Sequence, residues 1–322
     1  MKKLKEIKEA YTVGALLYSP ALNDKIAESI IENKIKGKYS VSLCLEDSIS
    51  DDSIDKAENQ IEKTFKEIYE NYSKELKLPK IFIRVRRPQQ VLSLFKRLEK
   101  YQFLLSGFIF PKYSLECADE YNEYMKKINK TSEKSIYMMP ILESSEIIEL
   151  NTRAEYLYKI KEKIDEVSDI VLNIRVGGND FCKEFNVRRH YDEMIYDITP
   201  VENILSDIVT VFSRDYVVSG PVWEYFSGKN EEWKKGLENE IKYDKLNGFI
   251  GKTVIHPNQI PVVNECLKVR KSDYEDAENI LNWGKNALQV GKSGNGERMN
   301  EVKVHKKWAE EIKVLAEIYG VK

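Results

Sequence analysis

Eight apolar runs recur along this chain, and each is followed by a stretch with the spacing of an amphipathic helix. Continuous apolar runs are typical of strands that are buried on both faces of a parallel sheet. Eight such units predict a closed (β/α)8 TIM barrel, because an open doubly wound sheet rarely has eight without a Rossmann glycine fingerprint. A six-stranded doubly wound sheet is the alternative. The runs cover residues 14–20, 39–49, 80–88, 107–113, 137–144, 171–181, 215–222 and 251–257.

The pattern changes after residue 289. Residues 290–299 are rich in glycine and predict a flexible linker, which leads to a terminal helix over residues 304–319. We therefore predict a barrel domain over residues 1–289 and a C-terminal helical arm over residues 290–322. Because the barrel is complete before the arm begins, the arm is free to cover its own active site or a neighbour's.

The charge and the cysteine content limit which partners the protein could bind and in which compartment it would be found. A net charge of -2 removes the electrostatic argument for nucleic-acid binding, and no apolar run approaches the roughly 18–20 residues that span a membrane. The first residues lack the apolar stretch of a signal peptide. Four separated cysteines without a C-x-x-C pair exclude a zinc ribbon and favour reduced thiols. We expect a cytoplasmic protein with no nucleic-acid or membrane partner.

Charged side chains collect where the predicted strands end. In a (β/α)8 barrel, the C-terminal ends of the strands form the active site. One charged residue at such a position could be a helix cap or a surface turn, but a group across most of the strands is harder to attribute to capping. The group consists of Glu46, Asp47, Arg84, Arg86, Lys112, Glu143, Asp180, Lys252 and His256.

Glu143 and Asp180 follow neighbouring predicted strands, and Asp180 comes after two glycines, Gly177 and Gly178. With only three histidines in the chain, oxygen ligands and a hard cation such as Mg²⁺ are the natural expectation. Two carboxylates can hold Mg²⁺ while waters and substrate oxygens complete its coordination, and the ion can then polarise a carbonyl. The alternatives are that Glu143 caps the following helix and that Asp180 holds the glycine turn together.

Arg84 lies within a predicted strand, where an arginine is unfavourable unless it finds a partner. At the mouth of a barrel it can bind a substrate carboxylate through two hydrogen bonds, and Arg86 has the same side-chain parity. Arg175 should be buried with a partner, for which Glu143 and Glu46 are the candidates.

The segment G-F-I-G-K-T at residues 248–253 contains part of a nucleotide-binding P-loop. A Walker A motif needs glycine at the position of Leu246, so the spacing excludes an ATPase. Gly251 and Lys252 can still bind phosphate or carboxylate through backbone N–H groups and charge. No Ser-His-Asp or Cys-His arrangement is recognisable.

In this order, the motifs resemble the citrate lyase β-subunit and HpcH/HpaI aldolase superfamily over most of the chain. L-C-L-E-D-S-I is similar to the family's D-L-E-D-A, I-R-V-R to R-V-N, F-P-K to L-P-K, I-L-E-S to I-E-T and G-G-N-D-F to G-x-x-D-L. G-F-I-G-K-T-V-I-H-P-N-Q-I is very close to G-x-x-G-K-x-x-I-H-P-x-Q. Each motif is short, but the series in the right order is specific.

The resemblance implies that Glu143 and Asp180 hold Mg²⁺, with Mn²⁺ as the alternative ion, and that Arg84 binds the substrate's carboxyl group. It also implies that Glu46 and Asp47 line the outer shell of the metal. The family cleaves or forms carbon–carbon bonds next to a carbonyl through a metal-stabilised enolate, often on CoA thioesters. Its members are commonly trimers or hexamers in which a C-terminal arm reaches a neighbouring active site.

The chain also departs from the family pattern. Arg86 stands where the family usually has Asn, which adds positive charge to the pocket. R-M-N-E-V is similar to the arm's M-I-D segment and places Glu301 where the family has a catalytic Asp. Residues 188–200 and the run S-G-P-V-W-E-Y-F resemble instead the C–C lyase-like proteins encoded with bacterial tellurite- and stress-resistance genes. For that branch neither the substrate nor the use of CoA is implied.

We therefore predict a Mg²⁺-dependent carbon–carbon lyase or aldolase that acts on a small carboxylated carbonyl or acyl-CoA-like compound, as a homo-oligomer. The alternatives are a non-catalytic barrel for metabolite binding or assembly, and a phosphoenolpyruvate-type phosphotransferase or mutase. The predicted residues are Arg84, Glu46, Asp47 and Glu301 for catalysis, Arg84, Arg86, Lys112 and Lys252 for substrate binding, and Glu143 and Asp180 for the metal.

Overall fold

The computed structural model describes residues 4–73, 75–284 and 288–322. Eight parallel strands form a closed barrel in which each strand pairs with the next and the last pairs with the first. This arrangement confirms the predicted (β/α)8 TIM barrel. The strands are β1 Ala15–Pro20, β2 Tyr39–Cys44, β3 Lys80–Arg84, β4 Leu105–Phe110, β5 Tyr137–Leu142, β6 Ile174–Val176, β7 Val218–Gly220 and β8 Phe249–Val254.

Helices connect the strands and cover the outside of the barrel. They are α1 Leu4–Tyr11, α2 Ile26–Ile31, α3 Ile54–Glu70, α4 Gln89–Arg97, α5 Leu115–Thr131, α6 Arg153–Asp165, α7 Gly178–Glu184, α8 Thr199–Phe212, α9 Glu232–Leu246, α10 Gln259–Leu267, α11 Lys271–Leu281 and α12 Val302–Tyr319. Their buried positions recur every three or four residues, as with Ala57, Ile61, Phe65 and Ile68 of α3. None of the described helices is both long and apolar enough to cross a membrane.

Most of the predicted runs extend beyond the observed strands into the loops that follow. Strand β2 ends at Cys44, so Glu46 and Asp47 lie in the loop after it. Strand β6 has only three residues, because Gly177 and helix α7 follow at once. The acidic residues therefore lie in loops at the carboxyl ends of the strands or, for Asp180, in the first turn of α7, where barrels form their active sites.

The two faces of the barrel wall bury different side chains. Side chains alternate between the faces along a strand. On β3, Phe82 belongs to an apolar cluster inside the barrel, so Arg84 also points inward. On β6, Ile174 and Val176 belong to the core under the helices, so Arg175 between them points into the barrel. The interior of the barrel is thus apolar around Phe82 and polar near the carboxyl ends of the strands.

The C-terminal part folds back onto the barrel. The segment predicted as a linker forms an antiparallel hairpin of β9 (Val290–Lys292) and β10 (Met299–Glu301). Helix α12 then packs along α11 and against α1, and the Tyr319 hydroxyl donates a 2.7 Å hydrogen bond to the backbone oxygen of Tyr11. The division of the chain into two domains at residue 289 stays a prediction.

Candidate active site

Arg84 lies at the centre of the polar end of the barrel. Its side chain is buried, and its Nη2 atom lies 2.8 Å from Oε2 of Glu46, 3.3 Å from Oδ2 of Asp47 and 3.4 Å from Oε1 of Glu143. Burial opposes the positive charge, but the surrounding acidic groups outweigh it and raise the pKa of Arg84. The structure thus brings together residues from the ends of β2, β3 and β5.

Glu143 and Asp180 face each other beside Gly177. A methyl group built at Gly177 would overlap Cβ and Oε2 of Glu143 and would lie 3.1 Å from Oδ2 of Asp180, so both carboxylates border the same small space. Oε1 of Glu143 accepts a 3.0 Å hydrogen bond from the backbone N–H of Lys112. Burial raises the pKa of Glu143 to about 8, with Arg84 opposing the shift and Asp180 adding to it.

This pair of acids fits a divalent cation that prefers oxygen. Mg²⁺ in proteins is usually bound by one or two carboxylates and keeps several waters or substrate oxygens. Among residues 4–73, 75–284 and 288–322, no three side chains of His, Cys, Asp or Glu are grouped as metal ligands. Glu143 and Asp180 would therefore leave most coordination positions open, as an ion that also binds substrate requires.

Lys112 connects the two groups of acids. Its Nζ atom lies 2.7 Å from Oε1 of Glu46, while its backbone N–H bonds to Glu143. The backbone of Lys112 has a φ of +48°, a left-handed conformation that costs a non-glycine residue about 1–2 kcal/mol. Strain of this kind is typical of functional sites, where the surrounding contacts maintain it.

A cavity of about 320 Å³ opens beside these residues and is lined by Glu46, Asp47, Arg86, Pro111 and Lys112. The side chain of Asp47 is exposed, whereas that of Glu46 is buried. A hydrogen bond with Glu46, together with burial, raises the pKa of Asp47 to about 6. Burial works to raise the pKa of Glu46 as well, but its bonds to Asp47 and Lys112 and the charge of Arg84 lower it to about 2. The pair therefore shares one proton near pH 6, which suits proton transfer.

Arg86 lies at the edge of this cavity, but its guanidinium group binds the loop between β2 and α3. The Nε atom donates to the backbone oxygen of Leu45 (3.1 Å), and Nη2 donates to the backbone oxygens of Glu46 (3.0 Å) and Ile49. The Nη1 atom pairs with Asp51. Arg86 thus holds the loop that carries the acidic pair, and its predicted contact with substrate stays a prediction.

Lys252 lies outside this group, on the outer face of the barrel wall. It is fully buried, and its Nζ atom lies 2.7 Å from Oε1 of Glu240 and 2.8 Å from Oδ2 of Asp244, both on α9. The sequence indicates that the side chain of Lys252 points outward, because Lys252 has the same parity as the apolar Ile250 and Val254 of its strand. Its predicted role in substrate binding stays a prediction.

The two buried acids of α9 have further partners that sequence reasoning missed. Arg189 pairs with Glu240 and donates to the backbone oxygen of Val222 (2.9 Å), while the Tyr196 hydroxyl donates to Oδ1 of Asp244 (2.7 Å). This network ties the segment after α7 to α9 and β8. Its members lie too far apart in sequence for any spacing rule to relate them.

Glu301 also lies outside the contacts that join the other predicted site residues. It is in β10, opposite Val290, and its backbone N–H donates to Nδ1 of His305 (3.0 Å). The hairpin is held against α11 by ion pairs of Arg298 with Asp273 and Asp276. The predicted catalytic role of Glu301 stays a prediction.

Arg175 is fully buried on the inner face of β6, but with neutral partners. It donates hydrogen bonds to Oγ1 of Thr253 (2.5 Å) and Oδ1 of Asn173 (3.5 Å), and it interacts with Tyr18. The two acids that the sequence suggested as partners contact Arg84 instead, which ends the strand beside β2, and the loop after β2 carries Glu46.

Solved structures of low sequence identity share this fold. CitE from Mycobacterium tuberculosis, in complex with magnesium, acetoacetate and coenzyme A, has a TM-score of 0.60 at 18% identity, over 94% of this chain and 98% of that chain. RipC from Yersinia pestis has a TM-score of 0.52 at 14% identity, over 80% and 95%. The citrate lyase β-subunit from M. tuberculosis, complexed with oxaloacetate and magnesium, has a TM-score of 0.51 at 17% identity, over 80% and 98%.

The family of the chain is shown by its sequence. No curated protein matches it. A family model for C–C bond lyases of the TIM-barrel fold, however, matches residues 7–321. This match confirms the prediction of a carbon–carbon lyase, and the citrate lyase β-subunits among the structural neighbours share its fold. Over nearly its whole length, the chain belongs to the C–C bond lyases of the TIM-barrel fold.

Proposed function

We propose that this lyase depends on Mg²⁺ and cleaves or forms a carbon–carbon bond next to the carbonyl of a small carboxylated compound. The observation that supports the proposal is the pair Glu143 and Asp180, whose carboxylates meet beside Gly177 within reach of Arg84. When bound there, Mg²⁺ supplies Lewis-acid polarisation of a carbonyl, which favours the enolate that forms when the bond breaks.

The side chains around this pair would bind the substrate and exchange a proton with it. Arg84 would bind the substrate carboxylate through guanidinium N–H groups that do not face the acids. Its Nη1 atom has only Sγ of Cys44 nearby, at 3.9 Å, and its Nε atom is buried without a hydrogen-bond partner among the described residues. Asp47, exposed to the cavity and with a pKa near 6, would hold or release a proton at its carboxylate oxygens.

The ligands of the related structures support this substrate class. CitE from M. tuberculosis is found in complex with magnesium and pyruvate and with magnesium and acetoacetate, and the citrate lyase β-subunit with oxaloacetate and magnesium. All three ligands are small carboxylates that carry a ketone. The proposal for this chain extends to that class and needs no CoA thioester. Mn²⁺ should substitute for Mg²⁺, because it accepts the same oxygen ligands.

Asp180→Asn tests the metal site. The substitution keeps the shape of the side chain but removes one of two charges, so the affinity for Mg²⁺ should fall at least about tenfold, as measured by calorimetry. Glu184→Gln, an exposed acid on the same helix, is the matched control and should bind Mg²⁺ as the wild type does. Unaltered Mg²⁺ affinity in Asp180→Asn would refute the metal assignment.

A proton-exchange experiment would distinguish an enzyme that forms enolates from a non-catalytic barrel. An active site that forms enolates should exchange the methyl protons of pyruvate with D₂O, and NMR would follow the reaction. We expect exchange in the wild type only with Mg²⁺ or Mn²⁺, and none in Asp180→Asn. Tight binding of pyruvate without exchange would favour the metabolite-binding alternative.

We also propose that the chain acts as a homo-oligomer, a trimer or hexamer in which the C-terminal arm supplies Glu301 to a neighbouring copy. Within its own chain, Glu301 lies in the hairpin beside α11 rather than among the contacts of Arg84. An acid–base role for Glu301 would therefore have to be exercised in a second copy, in keeping with the exchanged arm that the family resemblance implies.

A further inference from the structure

Two arginines, Arg84 and Arg175, point into the barrel below Glu143. The guanidinium carbon of Arg84 lies 5.4 Å from the centre of the Tyr18 ring, and Arg175 interacts with the same tyrosine. Arg175 lies on β6 two residues before Gly177, whose space is bordered by Glu143. Tyr18 keeps part of its surface exposed, whereas both arginines are buried.

Arg175 differs from the other buried arginines that the structure describes. Arg84, Arg153 and Arg189 each lie within 4 Å of a carboxylate, whereas Arg175 bonds to the neutral Asn173 and Thr253. A guanidinium group stays charged in proteins, and a buried charge without a partner of opposite sign is unfavourable. Burial accordingly lowers the pKa of Arg175, which shows that its surroundings oppose the charge.

Two donors at this position also lack acceptors. The Nε atom of Arg175 and the Nδ2 atom of Asn173 are both buried without a hydrogen-bond partner among the residues that the structure describes. Both side chains are about 1% exposed, and the Nε atom of Arg84 is orphaned in the same way. Buried donors of this kind usually bind an acceptor, so an oxygen-rich ligand would suit this position.

We propose that Arg175 and Asn173 form a second anion-binding point of the active site, which takes an oxyanion group of the substrate, a carboxylate or a phosphoryl group. Arg84 would bind the first carboxylate, and Tyr18 would separate the two. The inference rests on the proposed function and narrows the substrate to a compound with two negatively charged groups. It also gives a reason for a charged arginine in the barrel interior.

The test compares ligands that carry one and two negative groups. Calorimetry of the full chain with Mg²⁺ would measure Kd for pyruvate, oxaloacetate and phosphoenolpyruvate. We expect oxaloacetate or phosphoenolpyruvate to bind at least about tenfold more tightly than pyruvate, because hydrogen bonds to a buried charged group contribute on that scale. The better of the two shows whether the second group is a carboxylate or a phosphoryl group.

Two variants remove the second anion-binding point in different ways. Arg175→Met removes the charge, and Asn173→Asp supplies the missing carboxylate and so protects the fold if Arg175→Met unfolds. Each should reduce the preference for the doubly charged ligand over pyruvate to less than about threefold. Arg188→Met, an exposed arginine, is the control for lost charge and should keep the preference.

The inference and the proposed function fail in different ways. If the wild type shows no Mg²⁺-dependent binding of pyruvate, the proposed function is refuted and the inference with it. If pyruvate binds with Mg²⁺ but oxaloacetate and phosphoenolpyruvate bind no better, only the second anion-binding point is refuted. A preference that survives in both variants refutes it as well, and would assign the two buried donors to water.

Discussion

Around Arg84 the charges do not balance. Two cations, Arg84 and Lys112, lie among four acids that form one continuous group. If all were ionised, the group would carry an excess of two negative charges, which a divalent cation would neutralise. Burial and this excess together keep the pKa of Glu143 at about 8. The acids are Glu46, Asp47, Glu143 and Asp180.

The pKa of Asp47 predicts how stability depends on pH. Its value of about 6 lies above the ordinary value, mainly because Asp47 is hydrogen-bonded to Glu46, so the folded state binds the proton more tightly than the unfolded state. The contribution of Asp47 therefore favours folding at low pH and is lost as pH rises from about 4 to 6. Lys112 and Arg84 reduce the effect by attracting the carboxylate.

Asp47→Asn should remove this part of the pH dependence. Above pH 6 the variant should be more stable than the wild type by less than about 1 kcal/mol, because the side chain is largely exposed and screened, and below pH 4 the difference should vanish. Urea unfolding from pH 4 to 8 measures it, with Asp192→Asn, an exposed acid, as the control. An identical pH profile in Asp47→Asn would contradict the shared proton.

At the scale of elements, the buried ionic network joins three parts of the barrel. Lys252 of β8 binds two acids of α9, and one of these acids also binds Arg189 in the segment after α7. Two cations and two acids balance the network, so it needs no ligand. Each member is nonetheless sensitive to loss of a partner, because removal of one charge leaves an unpaired charge in the interior.

Lys252→Met should therefore destabilise the fold by about 3–5 kcal/mol, since Glu240 and Asp244 would lose their shared cation. Chemical unfolding measures the loss. The control is Lys242→Met, which replaces an exposed lysine of α9, the helix that carries both acids. It should change stability by less than about 0.5 kcal/mol. If Lys252→Met instead keeps its stability and loses affinity for pyruvate, Lys252 binds substrate as its sequence motif first indicated.

The strands could be predicted from sequence, whereas their ends could not. A strand buried on both faces is apolar at almost every position, and that pattern needs no knowledge of the partner strands. Strand β2, however, ends at Cys44 although apolar residues continue at Leu45 and Ile49. Arg86 binds the backbone of the loop that follows, and such contacts are not encoded in local hydrophobicity.

The grouping of Glu46, Arg84, Glu143 and Asp180 could also be expected, because residues at the carboxyl ends of barrel strands converge. What could not be expected is the choice of partner within the group. Glu46 and Glu143, the two acids suggested for Arg175, contact Arg84, while Arg175 bonds to the neutral Thr253. Sequence parity gives the face of a side chain but not its depth.

At the scale of the whole molecule, the place of the C-terminal arm gives a testable prediction. If Glu301 acts in a neighbouring copy, then Glu301→Ala and Asp180→Asn should each lose proton exchange with pyruvate when expressed alone. Co-expressed, they should recover roughly a quarter of wild-type activity, because sites that combine an intact Asp180 with an intact Glu301 reform.

Light scattering of the same samples would confirm that the copies associate. As a control, Glu301→Ala co-expressed with itself should recover nothing. If the mixed oligomers recover no proton-exchange activity although both variants fold, Glu301 has no role in a partner's site. Full activity of Glu301→Ala alone would show that it has no catalytic role in any copy.

Gly177 has a consequence for how active and inactive members of such a family can be told apart. Its missing side chain leaves the space in which the carboxylates of Glu143 and Asp180 face each other, and an alanine there would collide with the Cβ atom of Glu143, which cannot rotate away. A single methyl group could therefore silence the site while every acid and arginine remained in place. A barrel of this kind can become a pseudoenzyme without losing one catalytic residue.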